Sequence, residues 1–463
     1  MITAASLRAA GREPPLPAAL ALTEGGTLAV ERWLRVLPGK RLTGIGRWNG
    51  QTVLAKLFIA ARGDERHWQR ECQGAERLQA TSLPTPPLLA SGSLCDGGHY
   101  LLYAYLDNAR SPDTAAVNEL TRVFTQLGRL HAAGLLQEDA HLGNFLLRDA
   151  DSGDGDVFVI DGDAVRPLRD ARDAMGNLAL LFAQLPPQTA TDGFAALLDA
   201  YCSGNPAANV DKTNLTAAIA HARAARLADY LGKCLRDCSL FRVEQTATRF
   251  VAMVRDEAAF LAPIVADPDR WLAAGTPLKL GRTSTLARIE HAGRTLVIKR
   301  YNIKSVGHAL SRCWRPSRAW HSWIEGHRLR FLGIATPKPL ALIERRYGPL
   351  RSKAWLITEY CAGENLLAHL ADRLDTPPAA ELATLSDLFA QLTAARISHG
   401  DLKATNLLWA DGRITLVDLD AMRQHGGAAS FTRAWRKDRE RLLHNWPAHS
   451  ALRQMLDRVL PTP

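Results

Sequence analysis

The segment His399-Gly-Asp401-Leu-Lys403-Ala-Thr-Asn406-Leu-Leu, followed by the apolar run Ile414 to Val417 and then Asp418-Leu-Asp420, holds the groups that phosphoryl transfer requires. That reaction needs little covalent help. Its site consists of an acceptor for the attacking hydroxyl's proton, oxygen ligands for a divalent cation, and cations on the phosphates. Asp401 suits the first role, Asn406 and Asp418 suit Mg²⁺, and Lys403 suits the charge of the moving phosphoryl group. The same spacing returns as Gln137-Glu-Asp139-Ala-His141-Leu-Gly-Asn144, then the apolar run Val157 to Ile160, then Asp161-Gly-Asp163. A lone Asp-x-x-x-x-Asn is a weak signal, since short polar loops with capped turns are common. Two copies, each followed by an Asp at the end of the next apolar strand, point to two phosphotransfer sites.

Each loop needs a scaffold, and the chain supplies one twice. In the first half Trp33 to Val36, Leu42 to Trp48 and Thr52 to Ile59 read as short strands, with Pro38-Gly39 and Asn49-Gly50 as turns. A helix is expected over Glu65 to Gln79, then the turn Leu83-Pro-Thr-Pro-Pro and a strand over Tyr100 to Tyr105. The second half repeats the order: strands at Leu278 to Leu280, Thr285 to Glu290 and Arg294 to Tyr301, a helix near Trp320 to Leu332, the turn Ala335-Thr-Pro-Lys-Pro, and a strand at Trp355 to Tyr360. Helical periodicity then takes over at Val117 to Leu130 and at Glu381 to Ala395. Helices are expected from Asp170 to about Leu261. The two prolines of Ala262-Pro-Ile-Val-Ala-Asp-Pro-Asp suit a stiff connection. The expected division is therefore 1–262 and 263–463.

These residues resemble the protein-kinase-like superfamily, whose catalytic loop reads His-Arg-Asp-x-x-x-x-Asn and whose metal aspartate follows on the next strand. The fold class this implies is α+β, with tandem protein-kinase-like bilobal domains, each a strand-rich N-lobe on a helical C-lobe. The resemblance calls for a lysine on the third strand of each strand-rich lobe, and Lys56 and Lys299 stand there. Only 11 of the 57 basic residues are lysines, so finding Lys56, Lys299 and Lys403 at kinase positions is informative. A glutamate on the next helix should pair that lysine. Glu325 is the only acid between Lys299 and Glu344. In the first half an ungapped alignment sets Gly74 opposite Glu325, with Glu71 and Glu76 to either side, and Glu71 is preferred. The phosphate-covering loops, at Gly281 and at Gly39 to Gly46, both lack the full Gly-x-Gly-x-x-Gly.

The second half carries no Ala-Pro-Glu and no long activation segment after Asp420, so a small-molecule or glycan hydroxyl is a better acceptor than a protein. From Lys299 to Arg330 it has Lys299, Arg300, Lys304, Arg312, Arg315, Arg318, Arg328 and Arg330, with Trp314, Trp320 and Trp323 among them. Such a segment fits a peripheral anchor on anionic lipid or a clasp on an acidic glycan; the bland alternative is a solvated face with buried tryptophans. Lys299-Arg-Tyr-Asn-Ile-Lys304 and Leu332-Gly-Ile-Ala-Thr-Pro-Lys-Pro look like the bacterial lipopolysaccharide-core kinase family, which phosphorylates heptose or Kdo sugars. The first half looks like a second member of the same broad group. ATP and Mg²⁺, the lipopolysaccharide core glycolipid, and a peripheral place on the cytoplasmic face of the inner membrane are what this resemblance implies.

The first loop departs from the pattern at Gln137, where the second has His399, and at His141, where the second has Lys403; Asp139-x-His141-x-x-Asn144 is also similar to aminoglycoside and choline kinases. A small-molecule kinase and a pseudokinase scaffold are thus the rival readings. The formal charge of +10 disfavours cationic acceptors. It admits nucleic acid, but the basic residues are dispersed and no binding motif is present, so none is expected. No apolar run reaches the eighteen residues of a membrane span, and no secretory signal is evident at Met1 to Arg8. Seven irregularly spaced cysteines fit neither a disulfide framework nor a zinc site.

Overall fold

The computed structural model describes residues 1–149, 155–281, 283–302, 315–348 and 350–462. It divides into two units, Met1–Ala225 and Arg226–Pro463.

In the first unit six antiparallel strands lie in the spatial order Ala18–Ala21, Thr27–Leu37, Arg41–Trp48, Gln51–Phe58, His99–Ala104 and Leu88–Ser93. Alternation sets Leu42, Val53, Ala55, Leu57, Tyr100 and Leu102 into one core beneath the sheet. The helix Asp64–Gln79 packs on the sheet's other face, with Leu78 and Ala75 buried. Below it Val117–Ala132 buries Leu120, Val123, Phe124, Leu127 and Leu130 at three- and four-residue steps, against helices Ala171–Phe182 and Phe194–Gly204. The catalytic-loop segment lies between strands Leu135–Gln137 and Phe145–Arg148, and the latter pairs with Asp156–Val159.

The second unit has a seven-stranded sheet in the order Phe241–Gln245, Arg249–Val254, Pro339–Tyr347, Leu350–Glu359, Arg294–Tyr301, Ser284–His291 and Thr276–Leu280. The helix Arg318–Phe331 lies against it, and the helices Ala379–Ala394, Ala428–Leu443 and Ala451–Val459 build the helical part around Leu385, Phe389, Leu402, Leu407 and Trp435.

Two expectations fail here for one reason. Helices do not run on to Leu261, and the halves do not part at 262. Phe241-Arg-Val-Glu-Gln and Arg249-Phe-Val-Ala-Met-Val form a hairpin whose second strand pairs with Pro339–Tyr347 in the second sheet. Phe241, Phe250 and Ala252 are buried with Trp323 and Leu342, so this segment belongs with the second unit's core. The supposed linker is helical: Pro263 sits inside Ala258–Ala266, where Leu261, Ile264 and Val265 are buried, and Pro268 opens Pro268–Ala274. Proline is well placed at a first helical turn, since the amide it lacks has no intrahelical partner there.

That core also holds His327, 3% exposed, against Trp323 and Phe241. Burial first, and then Arg330 and Lys338, push its pKa down to about 3. The unfolded chain takes up a proton near pH 6.5 that the folded chain refuses, so stability falls as pH drops from about 6.5 toward 3, by about 1.4 kcal/mol per pH unit. His327→Gln is expected to flatten that slope in denaturant titrations between pH 7 and 4. An unchanged slope would show that His327 is not the group responsible.

Candidate functional site

Strand Gln51–Phe58 carries Lys56, and its alternation sends the side chain to the face that meets the helix Asp64–Gln79. Lys56 Nζ lies 2.5 Å from Glu71 Oε1 and 2.8 Å from Asp161 Oδ1. Glu71 is fully buried; it also accepts from Tyr103 Oη at 3.0 Å and from the amides of Gly162 at 3.1 Å and Asp163 at 3.0 Å. Helix and loop approach closely because both contact residues are glycines: a Cβ at Gly74 would stand 1.8 Å from the Gly162 carbonyl oxygen. Glu76 is exposed. Burial alone would lower the Lys56 pKa, yet the Glu71 and Asp161 carboxylates hold it above its usual value, and Lys56 in turn keeps Asp161 ionised below the ordinary carboxylate range against its own burial.

Lys56, Asn144 and Asp161 line one cavity of about 390 Å³ whose walls include Leu34, Leu54, Leu78 and Leu146. Asn144 Nδ2 donates to the Asp139 carbonyl at 3.0 Å, fixing the spacing of the loop, and His141 Nδ1 accepts from the Gly143 amide at 2.9 Å. Asp139 is exposed at the loop's edge. Gln137 does for this loop what a histidine does in the other: its Nε2 donates to the Ile160 carbonyl at 2.7 Å.

In the second unit Lys299, on strand Arg294–Tyr301, reaches Asp418 Oδ1 at 2.5 Å and Asp420 Oδ1 at 2.8 Å. Burial opposes its charge, but Tyr301, Asp420 and Asp418 together raise its pKa, while Lys299 lowers that of Asp418. Asp418 and Asp161 share a left-handed backbone, φ 61° and 71°, strained for a non-glycine residue and a recurrent feature of working sites. Lys299, Asn406 and Asp418 line a cavity of about 280 Å³ walled by Leu286, Val297, Leu356 and Leu408. Both cavities join apolar walls, suited to a flat heterocycle, to a floor of one lysine, one amide and one carboxylate, which suits phosphates with a divalent cation.

Around the second catalytic loop, Asn406 Nδ2 donates to the Asp401 carbonyl at 2.9 Å, and Asp401 is flanked by Lys403 at 3.0 Å and Arg441 at 3.1 Å. His399 Nε2 meets the Val417 carbonyl at 3.0 Å, and buried Asp438 accepts from the amides of His399 and Gly400 at 2.6 and 3.0 Å. Arg441 and Asp438 were not anticipated. One signal was available: Asp438 is the acid in the apolar stripe Phe431, Trp435, Leu442 of its helix, and a buried acid implies a partner.

Two sequence expectations are corrected. Glu325 does not pair with Lys299; its carboxylate takes Arg328 Nε at 2.8 Å, and Asp420 stands beside the lysine instead. The tryptophans of the basic segment do not face outward where they are described. Trp323 is fully buried with Nε1 donating to the Cys234 carbonyl at 3.1 Å, and half-buried Trp320 packs on Phe250 under Arg346 and Arg351. Lys304, Arg312 and Trp314 lie outside the described residues. Gly281 closes the turn between two strands, its amide donating to the Ser284 carbonyl at 3.0 Å.

Residues 280–453 match the family model described as Lipopolysaccharide kinase (Kdo/WaaP) family. Those residues, which lie within the second unit, are similar to the lipopolysaccharide kinase family. The fold class is protein-kinase-like, mixing sheet and helix, and the family matched is one of kinases, hence of phosphotransferases. The family segment contains Lys299, Asp401, Asn406, Asp418 and Asp438, and ends ten residues short of the C-terminal Pro463. Solved structures to which the chain is similar include WaaP in complex with acyl carrier protein, at 18% identity and TM-score 0.34, covering 44% of this chain and 86% of that one. Another is a double mutant of the PknI kinase domain of Mycobacterium tuberculosis, at 19% identity and TM-score 0.30, covering 45% and 99%. No curated protein matches. No helix among the described residues is long and apolar enough to cross a membrane.

Proposed function

We propose that the protein transfers the γ-phosphoryl group of ATP to sugar hydroxyls of the lipopolysaccharide core, at the cytoplasmic face of the inner membrane, with one site in each unit. The observation that carries this reading is the convergence of Lys299, Asn406 and Asp418 on one cavity inside the segment that matches the lipopolysaccharide kinase family. The donor set fits Mg²⁺: an amide oxygen and a carboxylate kept ionised by Lys299. Bound there, the cation would neutralise charge on the phosphates.

The chain's own residues supply the rest. Lys299 and Lys56 hold phosphate oxygens, and their ammonium charge is secured by two carboxylates each. Asp401 orients the acceptor hydroxyl and takes its proton, its carboxylate aimed by Lys403 and Arg441, while Asp438 holds the His399 and Gly400 amides that precede it. Asp139 takes the same part in the first unit, with His141 beside it. A net charge of +10 suits an anionic glycolipid and the membrane surface that bears it, through long-range attraction rather than a tryptophan anchor.

Transfer of labelled phosphate from ATP to core oligosaccharide isolated from a strain lacking the gene tests this. The product should gain the mass of one or two HPO₃ groups, only with Mg²⁺ present. Transfer to small amino alcohols or aminoglycosides and none to the core would replace the acceptor assignment.

A further inference from the structure

The two lysines are held by different architecture. Asp161-Gly-Asp163 and Asp418-Leu-Asp420 have the same spacing, yet the second aspartate does opposite things. Asp163 turns to Arg41 at 3.3 Å and Arg70 at 3.2 Å, and the carboxylate added to Lys56 comes from Glu71 on the helix. In the second unit the helix residue on the loop is Ser322, three positions before Glu325 as Glu71 is three before Gly74. Ser322 Oγ donates to Asp420 Oδ1 at 2.8 Å, and the same oxygen accepts from Lys299 at 2.8 Å and from Tyr301 Oη at 2.7 Å. Arg318 Nη1 stands 3.8 Å from the other oxygen.

The residue between the aspartates accounts for the exchange. Gly162 lets the helix backbone come into contact, so that Glu71 reaches both the lysine and two loop amides. Leu419 has a buried side chain in that place, near Gly326 and Pro339, so the approach is filled by carbon. A carboxylate must then come from the loop itself.

We propose that Asp420 is the positioning residue for Lys299, standing in for the helix glutamate, so that the second site's lysine is set by the Asp418–Asp420 segment. The first site's lysine is set by the helix Asp64–Gln79. A shift of that helix would withdraw Glu71 and disarm the first site, whereas a shift of the helix Arg318–Phe331 withdraws the Ser322 hydroxyl and the Arg318 guanidinium from Asp420 but no carboxylate from Lys299. This inference rests on the kinase reading above for its consequence in turnover, but not for the placement of Lys299.

The test uses the full chain with Asp139→Ala, so that turnover reports the second site. Acylation of Lys299 by an amine-reactive reagent, followed by mass spectrometry, reads how firmly its ammonium group is held in place without requiring activity. Asp420→Asn is expected to speed labelling at least tenfold and to lower kcat/KM for ATP at least tenfold. Adding Ser322→Glu should reverse most of both changes, since it restores a helix carboxylate as in the first unit. Unchanged labelling in Asp420→Asn, or labelling and turnover that Ser322→Glu does not restore in a folded protein, overturns the proposal. Should Asp420→Asn alone not fold, the double variant and Asp420→Glu, which each keep a carboxylate beside Lys299, are read in its place: labelling and turnover within tenfold of the parent are expected, and a larger departure of both in a folded protein overturns the proposal. A parent that turns over no ATP fails the kinase reading, and labelling still decides the role of Asp420.

Discussion

Asp401→Ala is expected to lower phosphoryl transfer by the second site by about 10²–10⁴ while leaving nucleotide binding nearly intact, the range that positioned proton transfer supplies. The carboxylate lies at the rim, between Lys403 and Arg441, outside the cavity lined by Lys299, Asn406 and Asp418. On the proposed reading, its removal takes away the proton acceptor and leaves the contacts of Lys299 with Asp418 and Asp420 in place. Asp139→Ala should act on the first site alone, because Lys56, Glu71, Asn144 and Asp161 all come from that unit's own elements. The loops differ at Lys403, which lies 3.0 Å from Asp401, and at His141, whose ring accepts from the Gly143 amide. The two variants are thus expected to lose different phosphates from the glycolipid, or one of them to lose none. Product masses from each variant decide the matter. If either substitution, in a folded protein, abolishes all phosphorylation, the two sites work as one unit.

What could be read from the sequence was the part fixed by local spacing. The loops from Asp139 to Asn144 and from Asp401 to Asn406, the aspartates that end the next strand, and the strand lysines all depend on short-range geometry, so two copies in register were enough to place them. Glu71 was also within reach, because the helix has to bring an acid to Lys56 and only one turn of it lies opposite. The partner of Lys299 was not, since it depends on side-chain volume at Leu419, which is invisible to motif spacing; with Glu325 the only acid on the helix, counting acids led to the wrong one. The boundary failed for a tertiary reason as well. Arg249–Val254 is a strand because Pro339–Tyr347 offers it an edge, a pairing across some ninety residues of sequence, and local periodicity carries no information about such a partner.

Trp323→Ala separates the two readings of the basic, tryptophan-bearing helix. A membrane anchor exposes its indole, and losing it weakens vesicle binding at little cost in stability. Trp323 is instead 0% exposed, packed edge-on against His327 at 4.2 Å and Phe241 at 5.9 Å, with its Nε1 bound to the Cys234 carbonyl. Large-to-small changes of buried aromatic residues cost about 3–5 kcal/mol, and the unsatisfied carbonyl adds to that. The expected result is a lowered denaturation midpoint for the second unit, with binding to anionic vesicles, measured where the variant is still folded, showing the same salt dependence as the parent. On the proposed reading that salt dependence would come from the surface arginines, whose attraction is screened over about 10 Å at 0.1 M salt. If Trp323→Ala keeps the parent's stability and loses vesicle binding, the indole is at the lipid after all, and the packing of Phe241, Phe250 and Trp323 into one core is wrong. The second unit's hairpin at 241–254 would then lose its reason to be a sheet strand, so a single melting curve bears on both the anchor and the domain boundary.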